Sequence, residues 1–288
     1  MNDIRRVGVV GAGQMGAGIA EVFARAGLDT VVCENGREAL RAARNRIDRS
    51  LHRAVERGRT SEEQRTDAWA HLIFAEDLEA LADRQLVVEA VVEDERVKAE
   101  VLGTLDKVLV DRDAVLATNT SAIPVTRLGI TTGRAAQVVG LHFFNPAPVM
   151  PLVELVSSLH TDQTVLNRVE TFAKEVLGKH VIRSRDRAGF VVNALLVPYL
   201  LAAVRMAEAG NATPEDIDAG MVHGCAHPMG PLQLADLIGL DTVQAIATSM
   251  YEEYKEPLYA PPPLLSRMVE AGLLGRKTGR GFHSHRGV

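Results

Sequence analysis

Cysteine is scarce in this 288-residue chain: only Cys33 and Cys225 occur, far apart and in no metal-ligating spacing. That excludes a disulfide framework and a zinc ribbon. It fits a reducing compartment in which the two serve as small apolar side chains. No run of about 18 apolar residues exists, so no segment reads as a membrane-spanning helix. Charge of one sign is lacking too. The formal net charge is -5, which gives no global reason to expect nucleic acid or a membrane surface as partner. Internal repeats, low-complexity tracts and clustered His/Cys ligand sets are absent, so repeat arrays and metal-centred chemistry are set aside. Arg5-Arg6 ahead of Val7-Gly8-Val9-Val10 imitates the start of a secretion signal. Gly11, Gly13, Gly16 and Gly18 interrupt its apolar stretch and no cleavage site follows, so the expected location is the cytoplasm.

What is present is ordinary for a globular enzyme: 47% hydrophobic and 24% charged residues. The length suits one large or two modest domains. Short β-branched runs alternate with amphipathic stretches in the first part, the pattern of parallel α/β units. Strands are predicted at Ile4–Val10, Asp29–Glu34, Leu86–Val92, Ala114–Thr118, Val138–Phe144, Leu152–Val156 and His180–Arg183. Helices are predicted at Gln14–Ala26 and, rich in arginine, Arg37–Arg57. After Ser184-Arg185-Asp186 strand signals vanish. Phe190–Ala209 reads as an apolar helix bent at Pro198. Thr213 and Pro214 suit the cap and first turn of another. The predicted division lies near residue 186: residues 1–186 an α/β domain with a mainly parallel sheet, residues 187–288 all-α.

Gly11-Ala12-Gly13-Gln14-Met15-Gly16 has the pattern G-x-G-x-x-G. Alone it is weak, but it sits between a predicted strand and a helix, the context that a Rossmann-type dinucleotide site requires. Gly11 permits the turn, Gly13 lets a pyrophosphate approach the backbone, and Gly16 lets the helix pack closely. The free N–H groups of that helix would face the phosphates. Glu34 ends the second strand about twenty residues on, where a carboxylate accepts from ribose hydroxyls and favours NAD over NADP. Arg37 nearby softens that preference.

Alcohol oxidation by a nicotinamide cofactor needs a base, and histidine titrates in the right range. His142 lies in Gly140-Leu141-His142-Phe143-Phe144-Asn145-Pro146. A lone histidine in an apolar strand is more often a satisfied core residue. Glu154, inside the next apolar strand, argues otherwise, because a carboxylate there is costly unless paired. Spacing alone leaves both readings open. Ser121, just after a strand, could bind a substrate oxygen or merely cap a helix. Asn193 is a polar amide among Val191, Val192, Leu195 and Leu196.

Together these residues resemble the 3-hydroxyacyl-CoA dehydrogenase family and, in size, its single-function members acting on 3-hydroxybutyryl-CoA. The resemblance covers nearly the whole chain. It runs through Gly11–Gly16, Val88-Glu89-Ala90-Val91-Val92-Glu93, Asn119-Thr120-Ser121, His142-Phe143-Phe144-Asn145-Pro146 and Gly189-Phe190-Val191-Val192-Asn193. It continues with His227-Pro228-Met229-Gly230-Pro231 and Gly275-Arg276-Lys277-Thr278-Gly279-Arg280-Gly281-Phe282. The resemblance implies reversible oxidation of an L-3-hydroxyacyl-CoA, of short chain, with NAD, an activity of fatty-acid metabolism. His142 would be the base and Glu154 its partner, with Ser121 and Asn193 completing the site. Glu34, Glu93, Lys98, Ser121, Asn145 and Lys277 would join Gly11, Ala12, Gly13, Gln14, Met15 and Gly16 around the cofactor. Ser50, Arg57 and Ser121 would touch the acyl-CoA. The last implication agrees with the charge pattern, since Arg41, Arg44, Arg49, Arg53, Arg57 and Arg59 crowd one segment and arginine suits phosphate.

Two departures stand out. Ala194 follows Asn193 where the family commonly has arginine. The ending Phe282-His283-Ser284-His285 replaces a common Phe-Tyr and is expected to touch only the surface or a subunit contact. Rival readings are a dehydrogenase of a non-CoA hydroxy acid or sugar acid, and a non-enzymatic nucleotide-sensing protein. The apolar stretches Phe190–Ala209 and Pro231–Ile246 predict a homodimer through the helical domain.

Overall fold

The computed structural model describes residues 4–285 and divides the chain into two compact units between Arg187 and Ala188. The first unit holds eight strands: β1 (Arg6–Val10), β2 (Asp29–Cys33), β3 (Leu72–Ala75), β4 (Leu86–Glu89), β5 (Val115–Thr118), β6 (Val138–Phe143), β7 (Leu152–Ser157) and β8 (His180–Arg185). Its helices are α1 (Gln14–Arg25), α2 (Arg37–Glu56), α3 (Glu62–Ala70), α4 (Glu95–Val108), α5 (Val125–Gly129) and α6 (Gln163–Thr171). The strands form one sheet in the order β3-β2-β1-β4-β5-β6-β7-β8. Every pairing is parallel except β6 with β7. Helices cover both faces of such a sheet, so its strands are apolar throughout rather than alternating. All six residues of β6 are accordingly buried. Phe23 of α1 meets Phe143 of β6 and Phe172, just after α6, at ring-centroid distances of 6.5 and 5.9 Å, which locks α1 to the strand that carries His142.

The α/β reading with a mainly parallel sheet agrees with this architecture. Some strand limits differ. The predicted Leu86–Val92 is longer than the strand found: the run stops at Glu89, and after Ala90 N donates to Val10 O the next donor, Val91 N, turns to the Glu89 carboxylate at 2.7 Å. Strand β3 carries no clear sequence signal, because it is short, partly exposed and at the sheet edge.

The second unit is helical: α7 (Val192–Glu208), α8 (Pro214–Cys225), α9 (Pro231–Ile238), α10 (Leu240–Tyr254) and α11 (Pro263–Glu270). Leu200, Leu201, Val204, Leu232, Leu240, Ala247, Met250 and Leu265 are fully buried in its core. Helix α7 begins two residues later than predicted, because Gly189 and Phe190 adopt φ of +82° and +48°. Pro198 lies inside it. Thr213 caps α8 by accepting from Asp216 N. The ending corrects an expectation. His283 and His285 do not merely decorate a surface: their Nε2 atoms lie 2.7 Å from Asp218 and 2.8 Å from Asp236, both buried. Asp236 also accepts from the backbone of Phe282 and His283, so two imidazole–carboxylate pairs tie this segment to α8 and α9.

Candidate active site

The first part of the site is the turn from β1 into α1. Gly11 takes φ +82°, and a Cβ there would lie 2.8 Å from the Val91 backbone. At Gly16 a Cβ would meet the Gly11 carbonyl oxygen at 1.7 Å, so only glycine lets α1 pack this close. Nothing lies within 4 Å of where a Cβ of Gly13 would stand, and Gly13 and Gln14 are exposed. Helix α1 has no side-chain cap and no acidic residue in its first turn, so its N–H groups and positive dipole end are free for an anion. These features fit the pyrophosphate of a dinucleotide. Glu34 reaches back to accept from Ala12 N at 2.5 Å, and Arg46 donates to Ala12 O at 2.6 Å. Arg37 points elsewhere, toward Glu76 at 3.4 Å.

The second part is the antiparallel pair β6–β7. Their register places His142 directly opposite Glu154. His142 Nδ1 lies 2.7 Å from Glu154 Oε2, with exposures of 4% and 0%, low enough that neither could be held there unpaired. An ionised carboxylate only accepts, so Nδ1 carries the proton and Nε2 presents a lone pair. Ser121 Oγ stands 3.2 Å from that Nε2. The arrangement is a base with its orienting acid and a neighbouring hydroxyl.

Ser121 is held by the loop after β5. Glu93 accepts from the N–H groups of Ser121 and Ala122 at 2.9 and 3.2 Å and from the Thr120 hydroxyl. Lys98, 1% exposed, links Glu93 at 3.2 Å to the fully buried Glu89 at 2.7 Å. The other oxygen of Glu89 accepts from Thr118 at 2.7 Å. Asn119 accepts from Phe143 N at 2.8 Å, tying this loop to the strand that carries His142. Sequence reading missed Glu89, Thr118 and Asn119 as supports. Only the burial of a Glu–Lys pair nine residues apart would have signalled them. Lys98, read as a cofactor contact, has its ammonium engaged by two carboxylates.

The third part is a cavity of about 330 Å³ between α1, α2 and the loop of residues 145–149. Ser50 and Arg57 line it, as do Arg25, Arg46, Arg53 and Arg59. Of the arginines singled out from the sequence, Arg53, Arg57 and Arg59 line it. Arg41, Arg44 and Arg49 do not, and Arg44 instead stacks on Phe74 at 4.5 Å. Asn145 and Gln14 stand on the rim of this cavity. Burial pushes the Glu21 carboxyl in its wall upward, against Ser50, Arg25 and Arg53, which pull it down. Asn193 and Lys277 belong to the helical unit. Asn193 is buried in the first turn of α7, and Lys277 is paired with Asp241 at 2.5 Å. No group of three or more potential ligands for a metal ion occurs among the described residues.

Comparison with known proteins adds to this geometry. The model of the 3-hydroxyacyl-CoA dehydrogenase NAD binding domain matches residues 6–187, and that of the 3-hydroxyacyl-CoA dehydrogenase C-terminal domain matches residues 189–285. A 3-hydroxybutyryl-CoA dehydrogenase of Mycobacterium tuberculosis is 60% identical over 98% of this chain and 99% of its own length. The crystal structure of M. tuberculosis FadB2 superposes with a TM-score of 0.97 at 60% identity, covering 98% of this chain and 99% of that one. That of (S)-3-hydroxybutyryl-CoA dehydrogenase PaaH1 from Ralstonia eutropha gives 0.93 at 40% identity, covering 99% and 100%.

Proposed function

The chain belongs to the 3-hydroxyacyl-CoA dehydrogenase family, and from that premise we infer how its residues perform the reversible, NAD-dependent oxidation of an L-3-hydroxyacyl-CoA to the 3-ketoacyl-CoA. The substrate is a short-chain ester of the 3-hydroxybutyryl type, as the names of its relatives indicate. The observation that carries the mechanism is the His142–Glu154 contact with Ser121 at the other imidazole nitrogen. The Gly11–Gly16 turn and Glu34 would hold NAD, which would supply the hydride acceptor. His142 Nε2 takes the proton of the C3 hydroxyl. Glu154 holds the ring in the required tautomer and stabilises the imidazolium that forms. Ser121 holds the oxygen as it changes from alcohol to ketone. Glu93, Lys98 and Asn145 complete the cofactor surroundings, Lys98 by fixing Glu93 rather than through a free ammonium. Glu34 selects NAD over the 2′-phosphorylated form by charge. His142→Ala should reduce acetoacetyl-CoA with NADH about 10²–10⁴-fold more slowly. Undiminished turnover would remove His142 from the role of base.

The arginine cavity favours a CoA ester over a free hydroxy acid or sugar acid. Ser50 and Arg57 there take the phosphorylated end of CoA. Arg57→Glu should raise KM for acetoacetyl-CoA about tenfold or more and leave KM for acetoacetyl-pantetheine alone. Equal effects on both would favour the non-CoA reading. The helical unit forms a homodimer. Leu195 and Met206 of α7 and Val191 at its N-cap are 75%, 45% and 38% exposed, and an apolar stripe of that kind seeks a partner. Sedimentation at micromolar concentration should give the mass of two chains, and a monomer would contradict this. No helix among the described residues is long and apolar enough to cross a membrane. Two free cysteines, Cys225 exposed, suit the reducing cytoplasm, which cell fractionation tests.

A further inference from the structure

One group in the arginine cavity has the wrong charge for an anion site. Glu21 comes from the middle of α1 into the cavity wall and is 1% exposed. Its Oε1 lies 3.6 Å from Arg25, and Ser50 lines the same cavity. Its Oε2 is buried without a hydrogen-bond partner. A buried carboxylate oxygen left so is costly, because nothing replaces the water it lost. The charged groups around it are all cationic: Arg25 on its own helix, Arg46, Arg53 and Arg57 on or at the end of α2, and Arg59 beyond it. The facing loop of residues 145–149 brings no charge, and the Lys179 ammonium behind it is taken up by the carbonyls of Ala147 and Met150. Neither a histidine nor a second carboxylate lines the cavity among the described residues.

We propose that Glu21 takes up a proton from solvent when the phosphorylated end of a CoA ester occupies this cavity, so that the cavity binds the anion together with a proton. As a carboxylate, Glu21 competes with phosphate for the same guanidinium groups and repels it. As a neutral acid it stops opposing the phosphate, and its O–H becomes a donor. Linkage makes the two events mutual: phosphate favours the protonated acid, and the protonated acid binds phosphate more tightly by the same factor. Burial already moves this carboxyl in the direction the coupling needs. Glu21 would thereby set how CoA affinity depends on pH, a specificity role that rests on reading the cavity as the site of the CoA nucleotide.

The test is titration calorimetry of free CoA into the full-length wild type, Glu21→Gln and Arg57→Glu from about pH 5.5 to about pH 8.5. The ligand's own phosphate titrates identically for wild type and Glu21→Gln, so the ratio of their dissociation constants isolates Glu21. That ratio should be near one at the acid end. At the alkaline end Glu21→Gln should bind about tenfold tighter, the factor for one unit of linked shift. A ratio that stays constant with pH overturns the proposal. Arg57→Glu keeps the two failures apart. CoA binding as tight as wild type in that variant would mean the nucleotide binds elsewhere, and the site reading itself would fall. Binding weakened about tenfold or more, with a flat Glu21 ratio, would leave the site and remove only the role of Glu21. If Glu21→Gln does not fold, Glu21→Met, of similar length and without charge, must show the same pH-dependent ratio.

Discussion

Two regions of the first unit each bury a glutamate, and they treat it in opposite ways. Between β6 and β7, Glu154 is fully enclosed and meets an imidazole at 2.7 Å. Between α1 and α2, Glu21 is as deeply enclosed, yet one of its oxygens has no partner and the nearest cation stands 3.6 Å away. A buried acid with a matched partner can steer that neighbour through many cycles. A half-matched one keeps its charge state open to whatever enters the cavity. The same residue type thus serves constancy in one place and response in the other, and the partner atoms decide which.

The comparison can be broken most severely at Glu154. Glu154→Gln keeps the shape but removes the charge that stabilises the imidazolium, so turnover should fall about 10²–10⁴-fold while KM for acetoacetyl-CoA changes little. A loss confined to KM would contradict the assigned role. Next in size is Lys98→Met, which turns the matched Glu89 into an unmatched buried acid. Chemical denaturation should show a loss of about 3–5 kcal/mol, and Glu89→Gln/Lys98→Met should recover part of it. No recovery would mean that Lys98 matters for packing rather than charge. The smallest effect sharpens the comparison from the other side. Glu21 has its folded-state value raised above 4.5, so its contribution to stability is full below that pH and is lost as pH rises through the folded value. Glu21→Gln should therefore melt higher than the wild type at about pH 8, with the gap closing toward about pH 4.5. A gap that is constant with pH would show that Glu21 does not titrate in this range.

Legibility from sequence followed how local each feature is. The Gly11–Gly16 turn is readable because Gly11 and Gly16 answer to close contacts and Gly13 to open space, all inside one strand–turn–helix unit. His142 and Glu154 were readable as a pair to be tested, because only a short connection separates β6 from β7 and the register does the rest. Glu21 gave no such sign. It occupies an ordinary polar position in an amphipathic helix, and only the approach of α2 encloses it. The Glu89–Lys98–Glu93 chain is likewise hidden, since its meaning lies in the loop of Thr118–Ser121 that it supports, 28 and 29 residues on from Glu93 and Glu89. His283 and His285 were misjudged for the same reason: Asp218 and Asp236, which hold them, lie 65 and 49 residues earlier. The arginine run shows the limit of composition. It announces positive charge, but the helical twist of α2 decides which guanidinium groups face the cavity and which face outward.

The most direct test of the central claim is a crystal structure of the ternary complex with NAD and acetoacetyl-CoA. The account predicts the C3 oxygen within about 2.6–3.2 Å of His142 Nε2, with Nδ1 still on Glu154. An imidazole turned from that oxygen, or parted from its carboxylate while the substrate is bound, would contradict it.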